Sequence, residues 1–406
     1  MRLLRLAWRN VFRQKRRTLT TLGAVVIGLA GLVVFQGYLG QLMKGFRDST
    51  ILSGIGHLQV SSDPKYFVDG EFTPYSYALG DEAALTASLA ADPRVAAVFP
   101  STGFTAIGGL GDKATTLLVK AYPSERMGFG KRPEGAPADT FRLGTLTSGS
   151  WDPTGGPSRL VLGETAARIL KAQVGDTVTL MAVLPGGGLN GRDFTVAAIY
   201  QSAGKDKIFA FTDYATARDF TGLKAAPVLH VIAKDIGDTD ALAASVDPGH
   251  AVRTWPSLAT YFVQVNTMFG GFLGVIRAIL LLITLFILAN TMNRIVFERM
   301  REWGTLRALG TKARDILTLV VLEGALQGFV GAVLGIAAGF AVSLILNLLG
   351  GLPYASGGSV LQIKVIPDDQ AVWWNLVPVV LTAALAAFLP ALRAMRLSPS
   401  EALRCA

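Results

Sequence analysis

The side chains most often used in catalysis are sparse in this chain and poorly placed for it. Its three histidines, His57, His230 and His250, are scattered in strand-like runs and lack the spacing of metal ligands. There is no G-x-x-x-x-G-K-[ST] phosphate loop, and the pairs Gly130–Lys131 and Gly204–Lys205 lack the leading glycine and the following hydroxyl. No nucleophile and base stand out as a pair. The sequence therefore predicts a chain with no metal or cofactor that does not hydrolyse ATP alone.

One dense block of charge, Glu298–Ile316, lies between two apolar runs. Over Ile295–Leu309 a helical repeat gathers apolar side chains into one stripe, with charged side chains around it. The stripe comprises Val296, Phe297, Met300, Trp303, Leu306 and Leu309, and the charged side chains are Arg294, Glu298, Arg299, Arg301, Glu302 and Arg307. Gly310 is expected to end the helix. Such a helix could dock a partner and move both neighbouring segments; the alternative is a solvated helix lying on the bilayer.

The composition indicates that the flanking runs are membrane spans. Of 406 residues, 51% are hydrophobic and 17% are charged, and the mean hydropathy is +0.43, which is too apolar for an ordinary soluble enzyme. A spanning helix needs about 20 apolar residues. Four segments qualify: Leu19–Leu39, Phe272–Met292, Ile316–Leu349 and Trp373–Leu392. The first is longer than the apolar part of a signal peptide, so we expect an uncleaved anchor.

The distribution of charge predicts the orientation of these spans. Residues 1–17 carry seven basic side chains and no acidic one, and residues 294–314 carry six basic and two acidic. Residues 42–267 hold 20 basic and 22 acidic side chains. Because lysine and arginine are retained in the cytoplasm, both termini and the 294–314 block are expected there, with the large domain outside. The basic residues cluster at span ends, which argues against nucleic acid as a partner.

The segment before the first span is predicted to be an amphipathic helix on the inner leaflet. Its basic residues Arg2, Arg5, Arg9, Arg13 and Arg16 fall on one helical face. The alternative is a plain topology signal. At the other end, Cys405 is the single cysteine, so no disulfide can form within the chain.

The large outer domain, residues 41–267, reads as α+β. Two strand–helix–strand patterns, in residues 41–105 and 224–267, are expected to form one layer, with a β-rich insert at about 106–223 between them. Within the insert, Leu184–Asp193 interrupts two strand runs and is predicted to be a hairpin tip. It is either a mobile surface loop or a partner-binding finger formed by Leu184, Pro185, Gly186, Gly187, Gly188, Leu189 and Asn190.

The third span combines small residues with an acid. Gly324, Gly328, Gly331, Gly335 and Gly339 recur at spacings of three and four, which favours tight helix packing, within the chain or across a dimer. Glu323 is either an intramembrane polar site with a partner or a carboxylate at the headgroups. Arg277, in the second span, is expected to extend toward the interface.

Together these patterns predict a membrane protein with four transmembrane α-helices, one followed by three. A large α+β extracytoplasmic domain is inserted between helices 1 and 2. The predicted segments are an amphipathic helix (1–17), the first span (18–40), the outer domain (41–267), the second span (268–293), a cytoplasmic helix (294–314), the third span (315–349), an outer loop (350–371), the fourth span (372–393) and a cytoplasmic tail (394–406).

The charged block resembles the signature of the FtsX-like permease family, the membrane subunits of one class of ABC transporters. The family pattern Arg-x-x-Glu-hydrophobic/aromatic-Gly-x-Leu-Arg-Ala-Leu-Gly is met by Arg299, Glu302, Trp303, Gly304, Leu306, Arg307, Ala308, Leu309 and Gly310. The stretches "LAWRNVFRQKRRTLTTLGAVVIGLA" and "LPALRAMRLSPSEALR" resemble the family's start and end. The resemblance therefore covers essentially the whole chain.

The resemblance implies that residues 294–314 are a coupling helix seated in a separate ATPase subunit. The docking residues would be Glu298, Arg299, Arg301, Glu302, Trp303, Gly304, Leu306, Arg307, Leu309 and Gly310. It also implies two ATPase copies that bind ATP and Mg, a second identical or related permease subunit, and a bacterial inner-membrane location. The outer domain would be a MacB-like periplasmic core that moves when ATP binds.

Three branches of the family remain open on the sequence. A lipoprotein-release permease of the LolC/LolE type fits the strand blocks of the outer domain, although the glycine-rich Leu184–Arg192 loop is short for capturing a periplasmic carrier. A MacB-type mechanotransmitter would work with a periplasmic adaptor, but its fused ATPase is not in this sequence. An FtsX-like regulator of a cell-wall hydrolase ranks last, because its outer domain is smaller.

Overall fold

The computed structural model describes residues 7, 15–70, 74–129, 141–201, 209–356 and 359–396. The chain divides into two compact units. The helical unit comprises Met1–Gly45 and Val265–Ala406, and the β-rich unit comprises Phe46–Gln264. The predicted amphipathic helix at 1–17 and the tail at 394–406 lie largely outside the described residues, as do both glycine–lysine pairs.

The described residues form eleven α-helices. In chain order they are α1 (Lys15–Thr50), α2 (Tyr66–Asp69), α3 (Glu82–Ala90), α4 (Glu164–Leu170), α5 (Tyr214–Thr221), α6 (Thr239–Ser245), α7 (Trp255–Leu258), α8 (Thr260–Glu298), α9 (Met300–Ala308), α10 (Ala313–Leu348) and α11 (Asp369–Arg396). In the described part of the chain, α1, α8, α10 and α11 are long and apolar enough to cross a membrane. The predicted order of one span followed by three is confirmed.

All four helices are longer than the predicted spans, and α1 and α8 extend furthest beyond them. A π-helical turn, Ile51–Ile55, extends α1, and α8 begins at Thr260 and not at residue 268. At 1.5 Å per residue, α8 is about 58 Å long, whereas the hydrocarbon core of a bilayer is about 30 Å thick. The predicted boundaries marked where the apolar composition ends. The helices continue because neither flank contains a proline that would stop them.

The described residues also form fourteen β-strands. They are β1 (Leu58–Ser61), β2 (Val95–Leu110), β3 (Lys113–Tyr122), β4 (Met127–Gly128), β5 (Phe141–Arg142), β6 (Thr145–Gly149), β7 (Arg159–Gly163), β8 (Thr177–Val183), β9 (Leu189–Gln201), β10 (Phe209–Asp213), β11 (Val228–Ala233), β12 (Ala251–Thr254), β13 (Leu352–Ser356) and β14 (Ser359–Ile363). All but β13 and β14 belong to the β-rich unit.

The first part of the β-rich unit contains the two predicted strand–helix–strand patterns. Its strands lie in the order β12-β1-β11-β2, all antiparallel, so the two patterns interleave. β11 is buried at every position, as expected of a central strand that is apolar except for His230. Leu85 and Leu89 of α3 and Leu242 of α6 join the core of this sheet.

The second part of the β-rich unit is a closed ring of strands. The 16-residue strand β2 leaves the first sheet and pairs with β3, and the pairings continue through β10, β7, β9 and β8 back to β2. The predicted boundary at residues 105 and 106 falls inside β2, so the two parts share this strand. α4 and α5 contribute to the core of the ring through Ala166, Leu170 and Phe220.

The segment after α10, predicted as an outer loop, contains the hairpin of β13 and β14. The amide of Asn347 fixes the chain that returns to α11. Its Nδ2 donates to the carbonyl of Val365 at 2.8 Å, and its Oδ1 accepts from the Val365 amide at 2.7 Å. This pair of bonds holds residue 365 at the end of α10.

Candidate functional site

The middle of the charged block forms a short helix, α9, separated from α8 at Arg299, while Glu298 ends α8 and residues 313–316 begin α10. The prediction of one continuous helix over Ile295–Leu309 was therefore wrong. Arg299 has φ −105° and ψ 10°, outside the helical range, and its side chain turns toward neighbouring helices. At the other end Gly310 has φ +96°. Its amide donates to Arg307, and the amide of Thr311 donates to Leu306, both at 3.0 Å, which is the hydrogen-bond pattern of a glycine-terminated helix.

The predicted apolar stripe divides between two surroundings. Val296 and Trp303 are buried against Ile316 and Val320 of α10 and Ala391 of α11. Met300 is half-buried, and the remaining members of the stripe are exposed: Phe297 by 57%, Leu306 by 41% and Leu309 by 81%. The single stripe inferred from the sequence was wrong, because the break at Arg299 changes the direction of the helix and α10 and α11 cover only part of it.

The ten residues implied as docking residues divide in the same way. Arg299, Trp303 and Gly304 face other parts of the helical unit, and Arg307 Nη1 donates to the Met395 carbonyl at 3.2 Å. The exposed members are Glu298, Arg301, Glu302, Leu306, Leu309 and Gly310. We define the outward face of α9 as Arg301, Leu306 and Leu309. Among the ten implied docking residues, the six exposed ones can contact a separate protein without any rearrangement of the helical unit.

Arg299 connects α9 to Glu323 of α10. Its Nη1 lies 3.1 Å and 3.3 Å from the two carboxylate oxygens of Glu323, and its Nε donates to Glu302 at 2.9 Å. Glu323 is only 3% exposed. Glu323 is thus a buried carboxylate with a cationic neighbour; whether it lies within the membrane or at the headgroups stays a prediction.

The five glycines of α10 all contact helices of the same chain. A Cβ on Gly324 would lie 2.5 Å from Ala387, and one on Gly328 would lie 2.3 Å from Ala383, both on α11. Gly331, Gly335 and Gly339 meet α1, where added Cβ atoms would lie 2.7 to 3.1 Å from side-chain carbons. These glycines therefore allow α10 to approach α1 and α11 closely, and they are not available for a contact across a dimer.

Arg277 of α8 is half-buried and lies beside an aromatic side chain of α11. Its guanidinium lies 5.7 Å from the ring centroid of Trp374 on α11. A cation over an indole face is stabilised by the ring quadrupole. The two residues join α8 to α11 near one end of the spans.

The predicted partner loop is shorter than the sequence indicated. β8 ends at Val183 and β9 begins at Leu189, so Leu189 and Asn190 belong to a strand. The turn is Leu184, Pro185, Gly186, Gly187 and Gly188, closed by a 2.7 Å bond from the Leu184 amide to the Gly188 carbonyl. Cross-strand pairing outweighs the glycine content of "GGGLNG", because the flanking residues continue the two-residue alternation of the strands.

A buried histidine in the β-rich unit is a polar centre that the sequence did not indicate. His230 of β11 contacts Ser101 of β2 through Nε2 at 2.7 Å and the carbonyl of Ile55 through Nδ1 at 3.0 Å. Because a carbonyl only accepts, Nδ1 donates and the Ser101 hydroxyl donates to Nε2. Burial lowers the pKa of His230 to about 4. The two bonds tie β2, β11 and the segment at Ile55 together.

Other arrangements suited to chemistry are few in the part of the chain that the structure describes. Among those residues no group of three or more His, Cys, Asp or Glu side chains could hold a metal ion. A cavity of about 510 Å³ in the β-rich unit is lined by Ser101, Lys120, Tyr122 and His230, among others. The geometry that best suggests a function is therefore α9 and its contacts.

Two family profiles match the chain. The MacB-like periplasmic core domain matches residues 18–248, more than half of the chain. The FtsX-like permease C-terminal domain matches residues 274–399, which include α9 and Glu323.

The similar proteins include permeases of several bacteria and an archaeon. The lipoprotein-releasing system transmembrane protein LolC of Neisseria meningitidis is 24% identical over 433 residues, covering 100% of this chain and 97% of LolC. The uncharacterized ABC transporter permease MJ1507 of Methanocaldococcus jannaschii is 27% identical and covers 39% of this chain and 38% of that protein. The macrolide export ATP-binding/permease protein MacB of Hyphomonas neptunium is 27% identical over 231 residues, 53% of this chain and 34% of MacB.

Two solved structures show weak similarity. The extracellular domain of the transporter YknZ from Gram-positive bacteria has a TM-score of 0.33 at 9% identity, covering 48% of this chain and 100% of that domain. The periplasmic region of MacB from Actinobacillus actinomycetemcomitans has a TM-score of 0.34 at 14% identity, covering 52% and 96%.

The family assignment follows from the two profiles and from the full-length match to LolC. The two profiles agree with the observed order of one span followed by three, in which the β-rich unit is inserted after the first span. The signature residues on α9 lie inside the permease profile. The chain therefore belongs to the FtsX-like ABC transporter permeases that carry a MacB-like periplasmic core domain.

Proposed function

We propose that this permease couples ATP hydrolysis by a separate ATPase subunit to motion of its periplasmic domain, which extrudes a lipoprotein, lipid or other amphiphile. The observation that carries the proposal is α9, a short helix with an exposed face and buried anchors to α8, α10 and α11. ATP and Mg would be bound by two copies of the ATPase, and a second identical or related permease subunit would complete the assembly.

The outward face of α9 is suited to docking on the ATPase. Leu306 and Leu309 offer apolar contact and Arg301 offers charge, while the inward residues hold the helix to its neighbours. A force applied to this face would pass into α8 and α10, because α9 is joined to both by short connections. α1 and α8 each contribute residues to both units, so they are the covalent route to the periplasmic domain.

The full-length relative supports lipoprotein release as the substrate class. LolC is named as the transmembrane protein of a lipoprotein-releasing system, and the match covers nearly all of both chains. The second candidate is efflux with a periplasmic adaptor, which is favoured by the partial match to the macrolide exporter MacB. Transport of a soluble solute by the complex in liposomes would contradict both.

Docking is tested by Leu306→Asp, which puts a charge on the outward face. We expect the ATPase to be lost, by at least tenfold, from protein purified gently from native membranes. Met181→Asp is the matched control, since Met181 of the β-rich unit is 44% exposed and Leu306 is 41% exposed. Retention of the ATPase by Leu306→Asp would refute docking through this face, and absence of any ATPase from the wild type would refute the function.

The same proposal places α9 and both termini in the cytoplasm. It is tested by single cysteines at Leu309 and Val68, which are 81% and 82% exposed, with Cys405 replaced by serine. A membrane-impermeant maleimide added outside intact inner membranes is expected to label Val68→Cys and not Leu309→Cys. The opposite pattern would reverse the orientation.

The partners of the complex distinguish the two substrate classes. Mass spectrometry of the purified complex is expected to find lipoproteins or a periplasmic carrier together with the ATPase. A periplasmic adaptor in their place would favour efflux.

A further inference from the structure

Glu323 has an unusual position for a carboxylate. It is ten residues into α10, about 15 Å from the start of the helix at 1.5 Å per residue, and it is 3% exposed. The neighbouring Gly324 is in close contact with Ala383 and Ala387 of α11, so α11 packs closely against this turn of α10. A buried carboxylate is unfavourable unless a cation and hydrogen bonds compensate it.

Arg299 supplies the cation from outside α10. One nitrogen, Nη1, reaches both oxygens of Glu323, and a second, Nε, reaches Glu302. The guanidinium also lies 5.5 Å from the ring centroid of Trp303. Because the guanidinium is planar and rigid, these three contacts define its orientation more tightly than an ammonium would.

The position of Arg299 between two helices means that its contacts determine how α9 is oriented. It is the one residue between α8 and α9, so its position sets the direction of α9. Trp303, one turn later, is buried against Val296, Ile316 and Ala391. The start of α9 is thus held to α10 at two points, Arg299 just before the helix and Trp303 within it, so a rotation of α9 would have to move α10 or strain these contacts.

Burial distinguishes the two carboxylates on Arg299. The side chain of Glu302 is 48% exposed, whereas that of Glu323 is 4% exposed. Exposed ion pairs contribute little because water screens them, whereas a buried pair strongly resists separation. Glu323 is therefore the partner that holds α9 in place.

We infer that Arg299 and Glu323 are a positioning pair that transmits displacement of α9 to α10. In the proposed function, on which this role in transport rests, the ATPase moves α9 through the outward face and the pair carries that movement into the spans. Without the pair, the ATPase would still bind and hydrolyse ATP, but less of that hydrolysis would move the substrate.

The first test measures the geometry without the ATPase. Spin labels on Thr305→Cys of α9 and Thr318→Cys of α10, both exposed, report the distance between these helices, with Cys405→Ser to remove the native thiol. In the purified full chain we expect Glu323→Gln to broaden the distance distribution at least twofold. The exchanged pair R299E/E323R is expected to restore most of the wild-type width, which a purely local folding role of either residue would not.

Two further variants keep the test decisive if the exchanged pair folds poorly. Glu302→Gln is the matched control, because it touches the same guanidinium from an exposed position, and it should leave the distribution unchanged. Arg299→Lys keeps the positive charge but loses the guanidinium that contacts both carboxylates, and it should broaden the distribution of spin-label distances by an intermediate amount. A wild-type width in Glu323→Gln or in Arg299→Lys would overturn the inference, and so would equal broadening by Glu302→Gln.

The second test measures coupling in the complete complex. We expect Glu323→Gln to co-purify with the ATPase and to hydrolyse ATP, while substrate released per ATP falls at least tenfold. An unchanged ratio would overturn the role in transmission. Failure of the wild type to bind any ATPase would instead refute the proposed function, and the distance measurements would still decide whether the pair positions α9.

Discussion

The two units each bury a polar contact between distant parts of the chain, and the two contacts differ in charge. In the helical unit Arg299 forms an ion pair with Glu323 at 3.1 Å. In the β-rich unit a neutral histidine, His230, accepts the Ser101 hydroxyl at 2.7 Å. Loss of one member of a buried ion pair leaves an uncompensated charge in apolar surroundings. The neutral contact is broken instead when His230 gains a proton, because Nε2 can then no longer accept the Ser101 hydroxyl. We therefore expect the first contact to be sensitive to substitution and the second to pH.

The largest expected effect breaks the charged contact. Arg299→Ala removes the guanidinium from a carboxylate that stays buried, and we expect about 3 to 5 kcal/mol of lost stability. Thermal unfolding in detergent measures it. Glu302→Ala, which removes the exposed partner of the same guanidinium, should cost at most about 1 kcal/mol. Equal losses in the two variants would mean that burial does not distinguish the two carboxylates.

Acid should break the neutral contact. Because the pKa of His230 is lowered from 6.5 to about 4 in the folded chain, stability is complete above pH 6.5. As the pH falls from 6.5 toward 4, only the unfolded chain takes up the proton, and about 3 kcal/mol is lost. Hydrogen exchange of β1 and β11 between pH 7 and 4 measures this loss. His230→Gln, which does not titrate in this range, should show a flatter profile; an equally steep one would assign the pH dependence to other groups.

A smaller loss of stability is expected from disturbing the packing of α10 against α11 near Glu323. A Cβ on Gly328 would lie 2.3 Å from Ala383, so Gly328→Ala should separate α10 from α11 and reduce stability by about 1 to 3 kcal/mol. Gly274→Ala on α8, where nothing lies within 4 Å, is the control and should be neutral or slightly stabilising. Comparable losses would show that the close approach around Glu323 has no special importance.

The smallest effect provides a baseline from an exposed turn of the β-rich unit. Gly186 has φ +98°, which alanine disfavours, so Gly186→Ala should cost about 1 kcal/mol. Gly188, in the same turn and equally open, has no positive φ, and Gly188→Ala should be close to neutral. Chemical denaturation measures both. A larger loss at Gly188 would imply that the turn is packed against something.

The features found from the sequence were those that depend on local order. The four spans follow from runs of apolar residues, and the paired strand–helix–strand patterns follow from alternation between polar and apolar positions. The family signature is contiguous, from Arg299 to Gly310, and so it could be recognised without any contacts. Gly310 was expected to end α9 because a terminal glycine relieves a local conformational restriction.

The features missed were those that depend on long-range contacts. Ser101 and His230 are 129 residues apart, and β2 closes a ring with strands that follow it by up to about 100 residues. The stripe on Ile295–Leu309 was misread because a helical projection assumes an unbroken helix, and Arg299 breaks it. The sequence alone could not identify the ion-pair partner of Glu323, because several arginines lie near it in the chain.

The sequence by itself determined that this protein is a four-span permease with an inserted domain, because hydropathy, charge bias and a contiguous motif are properties of the chain order. Only the tertiary structure decided which signature residues face inward, which helices the glycines of α10 meet, and which cation compensates Glu323. Those outcomes depend on which surfaces remain after the helices have packed. Local periodicity defines the faces of a helix but not the neighbours that cover them.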